Sequence, residues 1–157
     1  MKSCAFFGHR DTNYELQRER IWQILINLIE REGITQFYSG NRGSFDRLCS
    51  GLVDELKVRY PYIRNTMVLS YLPTRNFILP ACYDDSIFLL ERAVPPAYAI
   101  LETNKKLVEI VDVILSGVVY NFGGAYKACD YARKKRKVIV SPFNNDERDE
   151  YVGNSTP

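Results

Sequence analysis

Val111-Asp-Val-Ile-Leu-Ser-Gly-Val-Val-Tyr-Asn-Phe-Gly-Gly-Ala-Tyr-Lys-Ala-Cys129 is an apolar run that ends in a glycine pair and continues into a helix. Residues 111–115 and 118–119 are mostly β-branched or leucine, the composition of a strand buried on both faces. Gly123 and Gly124 then open the backbone where the helix begins. A helix start carries unpaired N–H groups and the positive end of the dipole, which suit a phosphate or carboxylate. One glycine pair is a weak signal. Two similar strand-to-turn junctions, Gly8-His-Arg10 and Ser39-Gly-Asn-Arg-Gly43, strengthen it.

The chain has 157 residues, of which 46% are hydrophobic, enough for one domain to bury a core without disulfides. Its formal charge of +2 is too small to imply nucleic acid or an anionic membrane. Cys4, Cys49, Cys82 and Cys129 are scattered, without C-x-x-C spacing, and read as reduced thiols of a cytoplasmic protein. No zinc-ligand spacing links them to His9, so no metal is expected. The N-terminus lacks a signal-peptide apolar region, and no run is long enough to span a membrane.

From the N-terminus, residues 3–7 predict a strand ended by Gly8. Residues 14–32 predict a helix, with Leu16, Ile21, Trp22, Leu25 and Ile29 at helical spacing and Gly33 as its stop. A strand over 35–38 is followed by a helix from Ser44, read as its cap, ending before Pro61. A third strand covers 66–72. Residues 73–96 are irregular, with 86–90 either a short strand or a helical turn. A helix over 98–110 leads into the strand first described, then come a helix over 124–136 and a strand over 137–140. This alternation predicts an α/β Rossmann-like fold with a mainly parallel sheet and helices on both faces. A single domain is expected over 1–143, with 144–157 a polar tail.

In open parallel sheets, ligands sit beyond the carboxyl ends of the strands. All three glycine junctions fall at such ends and so share one rim. Arg10 and Arg42 offer planar donor forks for a phosphate. His9 either contacts a ligand with Arg10 or fixes the loop. Ser39 to Asp46 reads as a site or as a plain strand-to-helix turn, and it is neither a Walker A nor a G-x-G-x-x-G sequence. Asp112 is expected to bond backbone N–H groups at its strand start, and Asn104 to reach the rim. The basic run Arg133 to Lys137 reads as a solvated helix end.

Three motifs together resemble the SLOG superfamily, which holds LOG-type nucleotide phosphoribohydrolases, the DprA domain and small YpsA-like proteins. They are Phe7-Gly-His-Arg10, Tyr38-Ser-Gly-Asn-Arg-Gly-Ser-Phe-Asp46, and Thr103-Asn104 with Val111-Asp112 leading to Phe122-Gly-Gly-Ala-Tyr126. The likeness is closest to the small single-domain members and covers roughly residues 3–140. It implies a rim that binds a nucleotide or derivative, with Gly8, His9, Arg10, Ser39, Gly40, Arg42, Gly43, Phe45, Asp46, Asn104, Gly123 and Gly124 in the pocket. LOG-type enzymes follow their glycine turn with a threonine and a glutamate that serve N-glycosidic cleavage. Here Ala125-Tyr-Lys-Ala-Cys-Asp130 follows instead, so Asp46 or Asp130 would have to supply the carboxylate.

The expected function is therefore cytoplasmic binding of a small phosphorylated, nucleotide-like ligand, without a cofactor or chemistry of its own. The alternative is an N-glycosidic hydrolase or transferase acting on nucleoside monophosphates, with Asp46 catalytic. DNA binding through 133–137 ranks third, and nucleic acid is not the expected partner. Homodimerisation, common among LOG-like relatives, has the apolar stretch 86–101 as its available face.

Overall fold

Side chains of the first strand alternate between two cores. Cys4 and Phe6 face one, and Ala5 and Phe7 the other, as the period of two along a strand requires. The structure, a computed structural model, describes residues 1–143; the tail expected over 144–157 lies outside them. The elements are β1 (Lys2–Gly8), a 3-10 turn (Glu15–Gln17), α1 (Arg18–Glu30), β2 (Ile34–Ser39), α2 (Ser44–Leu56), β3 (Arg64–Leu69) and β4 (Asp85–Phe88). After a second 3-10 turn (Pro96–Tyr98) come α3 (Ala99–Ile110), β5 (Val113–Gly117), α4 (Gly124–Lys134) and β6 (Val138–Val140).

The six strands run in the order β4-β3-β2-β1-β5-β6, and every neighbouring pair is parallel. The chain winds outward from β1 to one edge and then crosses back to β5. The point where it reverses lies between β1 and β5, where open sheets of this kind leave a crevice. One core packs α1 and α2 on the sheet through Ile21, Leu25, Leu28, Leu52, Val53 and Leu56. The other packs α3 and α4 through Leu107, Val108, Ala128 and Cys129. Helices therefore cover both faces, as the alternation of elements predicts.

The ambiguous stretch at 86–90 holds β4, a short edge strand paired with β3 at Thr66↔Asp85 through Leu69↔Phe88. The connection from β3 to β4 contains no helix; Tyr83 anchors it by hydrogen-bonding Ser39 and Ser50. β5 begins at Val113 rather than Val111. Just before it, the Asp112 carboxylate accepts a hydrogen bond from the Ser3 N–H at 2.9 Å, as the sequence predicts for a strand start.

Candidate functional site

One ring sets the geometry of the rim. Gly8 and Gly117 lie side by side at the ends of β1 and β5, and the buried Phe45 ring of α2 lies against both. A Cβ on Gly8 would fall 2.3 Å from that ring, and one on Gly117 2.4 Å. Atoms cannot approach so closely, so glycine at both positions is what lets α2 dock at the strand ends. Gly43 repeats the device, since a Cβ there would lie 2.4 Å from the Arg10 Cα.

The helix α2 begins beside that contact. Gly43 is the cap residue and Ser44 the first helical one, with no side chain capping the helix. Ser44 thus does not cap α2 as its sequence position suggests. Its N–H donates to the Arg10 carbonyl at 2.8 Å, and its hydroxyl donates to the carbonyls of Thr12 (2.5 Å) and His9 (3.3 Å). Ser44 is the latch between the loop after β1 and α2.

Asn41 sits in the left-handed region at φ 53°, which asparagine tolerates better than most residues. Beyond it the Arg42 guanidinium lies over Gly40, where a Cβ would come within 2.8 Å of Cζ. Its Nη2 donates to Ser70 Oγ at 2.7 Å and its Nη1 to Asn104 Oδ1 at 3.3 Å. Both acceptors are neutral. Neither Arg42 nor the exposed Arg10 makes an ion pair with any described residue. Burial pulls the Arg42 pKa below its usual value, the mark of a cation held out of water without full compensation.

Asp46 closes the same loop. Its Oδ2 accepts the Arg42 main-chain N–H at 3.0 Å, yet burial raises its pKa to about 6 against that bond and the nearby charges of Arg42, Arg47 and Arg10. Among the described residues it is the only carboxylate lining the rim cavity. His9 lines the cavity too, but its Nε2 accepts the N–H groups of Val119 and Tyr120 at 3.0 and 3.1 Å. An accepting Nε2 carries no proton, so the neutral ring holds its proton on Nδ1. Burial lowers the His9 pKa and favours this form. His9 joins the loop after β1 to the one after β5, and Tyr14 reinforces the joint: its hydroxyl accepts the His9 N–H at 2.9 Å and donates to the Gly117 carbonyl at 2.6 Å.

The third wall is the start of α4. Gly123, its cap residue, has φ 94°, a conformation that favours glycine, and no side chain caps the helix. Among the described residues, chain neighbours and the helix's own backbone aside, no atom lies within 4 Å of a Cβ built on Gly123 or Gly124, so this wall is open space. The cavity between the walls holds about 240 Å³. Gly8, His9, Arg10, Gly40, Arg42, Gly43, Asp46, Asn104, Gly123 and Gly124 all line it.

Two residues assigned to the pocket by resemblance do not reach it. Phe45 is turned down into the core beneath the rim. Ser39 is fully buried, with its hydroxyl 2.6 Å from the Tyr83 hydroxyl and 3.2 Å from that of Ser50. Asp130, the other carboxylate considered, pairs with Arg133 and Lys134 on the surface of α4, away from the cavity. The basic run is tied down as a helix end: Lys137 donates to the Glu109 and Val111 carbonyls, and Lys135 lies over the Tyr131 ring. Tyr14, Ser70 and Ile100 were not singled out from sequence. All four cysteines are free, and no His/Cys/Asp/Glu group among the described residues could hold a metal ion. No helix among them is long and apolar enough to cross a membrane.

No family model and no curated protein matches the chain in sequence. Its fold is nevertheless shared with solved structures. DNA processing protein A (DprA) from Streptococcus pneumoniae superposes with a TM-score of 0.67 at 10% identity, over 99% of this chain and 57% of that one. The Helicobacter pylori DprA, described for its single-stranded DNA binding mode, gives 0.65 at 16% identity over 93% and 67%. The molybdenum cofactor carrier protein of Chlamydomonas reinhardtii gives 0.59 at 13% identity over 99% and 86%. This chain therefore spans little more than half the length of the first of these proteins. At such identities the likeness is one of fold, and that fold fits the SLOG-type resemblance carried by the motifs.

Proposed function

We propose that the rim cavity binds a small phosphorylated, nucleotide-like ligand in the cytoplasm, and that the protein senses or presents it rather than transforming it. The observation that carries this reading is Arg42, a half-buried guanidinium in the cavity wall whose hydrogen-bond acceptors among the described residues are both neutral. A cation in that setting is better satisfied by an anion, and a phosphate would meet its donor fork. The uncapped start of α4 and the exposed Arg10 present further positive potential to the same space. The structural neighbours include a molybdenum cofactor carrier protein and a DprA with a single-stranded DNA binding mode, so the fold is one that serves binding in other proteins.

A thermal-shift screen across nucleoside monophosphates, diphosphates and dinucleotides tests the reading. At ligand concentrations about 100-fold above Kd, stabilisation of about 2.7 kcal/mol is expected, and it should shrink in Arg42→Ala and Arg10→Ala. A flat response across the panel would sink the proposal.

One observation favours a second reading, N-glycosidic cleavage of a nucleoside monophosphate. Asp46 lines the cavity, and a carboxyl with a pKa of about 6 is placed to exchange protons near neutrality. That reading requires release of free base, abolished in Asp46→Asn. DNA binding through the run at 133–137 is less favoured, because those residues sit at the opposite end of α4 from the cavity and are engaged locally. A homodimer would use the stretch around β4, where Ile87, Phe88 and Tyr98 are exposed.

A further inference from the structure

Beside the cavity stands a stacked aromatic pair of which one ring, Phe122, belongs to neither core cluster. The Tyr120 and Phe122 rings stack with centroids 5.2 Å apart and an interplanar angle of 21°. Phe122 keeps 57% of its surface exposed, and no core cluster includes it. On its inner side the pair meets His9, whose ring lies 4.8 Å from Tyr120 and 6.5 Å from Phe122. His9 lines the cavity, and so does Gly123, the next residue after Phe122. The pair itself is not part of the lining but adjoins it through these two residues.

The size of the opening bears on what lies there. Pockets for small organic ligands usually hold about 300–1,000 Å³, whereas this cavity holds about 240 Å³. Arg42 and Asp46 line it with Gly40 and Gly43. A phosphate with its sugar fills such a space and leaves any attached ring at the mouth. An exposed aromatic face there offers stacking, which tolerates any flat heterocycle because each has a π-face.

We infer that Tyr120 and Phe122 form a stacking platform for the heterocyclic ring of the ligand whose phosphate meets Arg42. The platform selects ring-bearing phosphates, nucleotides above all, over sugar phosphates and inorganic anions, without reading the identity of the base. This rests on the anion site proposed above and adds the part of the ligand that site leaves unspecified. Phe122 is the better probe, since it is exposed and has no role in the core, whereas Tyr120 also packs against the core.

The test is calorimetric titration of wild type, Phe122→Ala and Phe122→Tyr with inorganic pyrophosphate, ribose 5-phosphate and a nucleoside monophosphate, alongside the ligand-free melting temperature of each. Wild type is expected to prefer the nucleotide to ribose 5-phosphate. Phe122→Ala is expected to weaken nucleotide binding by about fivefold or more, the usual scale for losing one stacked base. It should leave ribose 5-phosphate, pyrophosphate and the melting temperature unchanged, and Phe122→Tyr should restore the preference. Equal binding of nucleotide and ribose 5-phosphate to wild type overturns the platform while leaving the anion site intact. An equal loss for all three ligands in Phe122→Ala, with a lowered melting temperature, also overturns it by assigning Phe122 a structural role. Binding of none of the three by wild type overturns the anion site, and the platform with it.

Discussion

The starts of α2 and α4 both carry glycines at the rim, yet they are built in opposite ways. The first is clamped. Gly43 lies against the Arg10 backbone, Phe45 fills the space under Gly8 and Gly117, and Ser44 bonds across to the loop after β1. The second is open, with no atom within reach of a Cβ on Gly123 or Gly124. Glycines of the first junction are there because protein must fit against protein. Those of the second face only the cavity, apart from the backbone turn that Gly123 makes at φ 94°. A rigid wall bearing the cations opposes an open wall bearing N–H groups, an arrangement that positions charge before a ligand arrives.

Substitutions should separate the two junctions cleanly. The largest effect is expected from Gly43→Ala or Gly8→Ala, since the new methyl collides with backbone or with a buried ring. Overpacking of this kind costs about 1–3 kcal/mol or more, which for a chain of this size lowers the melting temperature by about 2–4 °C per kcal/mol. An unchanged melting temperature in both variants would mean the clamp is looser than its geometry indicates. Next is Asp46→Asn. Because the folded protein raises this carboxyl from 3.8 to about 6, ionisation opposes folding. The variant should match wild type near pH 3 and gain on it as pH rises through 4–6. Its advantage should level off above the folded pKa at about 3 kcal/mol. Chemical denaturation across that range measures it, and a constant difference at every pH would contradict the buried setting of Asp46.

A smaller effect with the opposite sign is expected for His9. Burial lowers its pKa from 6.5, so the neutral, bonded ring favours the fold. That contribution is complete above 6.5 and declines as pH falls below it. His9→Gln should flatten this part of the pH–stability curve. Smallest of all is Gly124→Ala, which has open space and no left-handed backbone. Its stability should change by no more than about 1 kcal/mol, while ligand affinity falls because the methyl occupies the cavity. A large loss of stability there would erase the contrast between the junctions.

The alternation of strands and helices was legible because each buried strand is a short apolar run and each helix carries an apolar stripe. The three glycine junctions located the rim, and Asp112 behaved as its place at a strand start required. Ser39 and Phe45 misled for a physical reason. They sit inside the motif, but side-chain direction follows the pleat and the helix turn, and both point into the core. Ser44 looked like a cap because nothing local reveals that its hydroxyl turns to the Thr12 and His9 carbonyls instead. Tyr14 and Ser70 were invisible for a similar reason. Their partners, Gly117 and Arg42, lie far along the chain and are set only by tertiary packing. The short edge strand β4 could not be told from a helical turn, since four residues carry too little periodicity.

Arg42 is where these threads meet, because the clamped junction fixes its backbone and Ser70 and Asn104 aim its guanidinium. Calorimetric titration of a nucleoside monophosphate into wild type and Arg42→Ala at pH 7.5 tests its role most directly. The expected result is binding by wild type and a loss of about tenfold or more in the variant, the scale of a charge-assisted hydrogen bond. Equal affinity in the two proteins, with the variant folded, would contradict the assignment of the rim as an anion site built on Arg42.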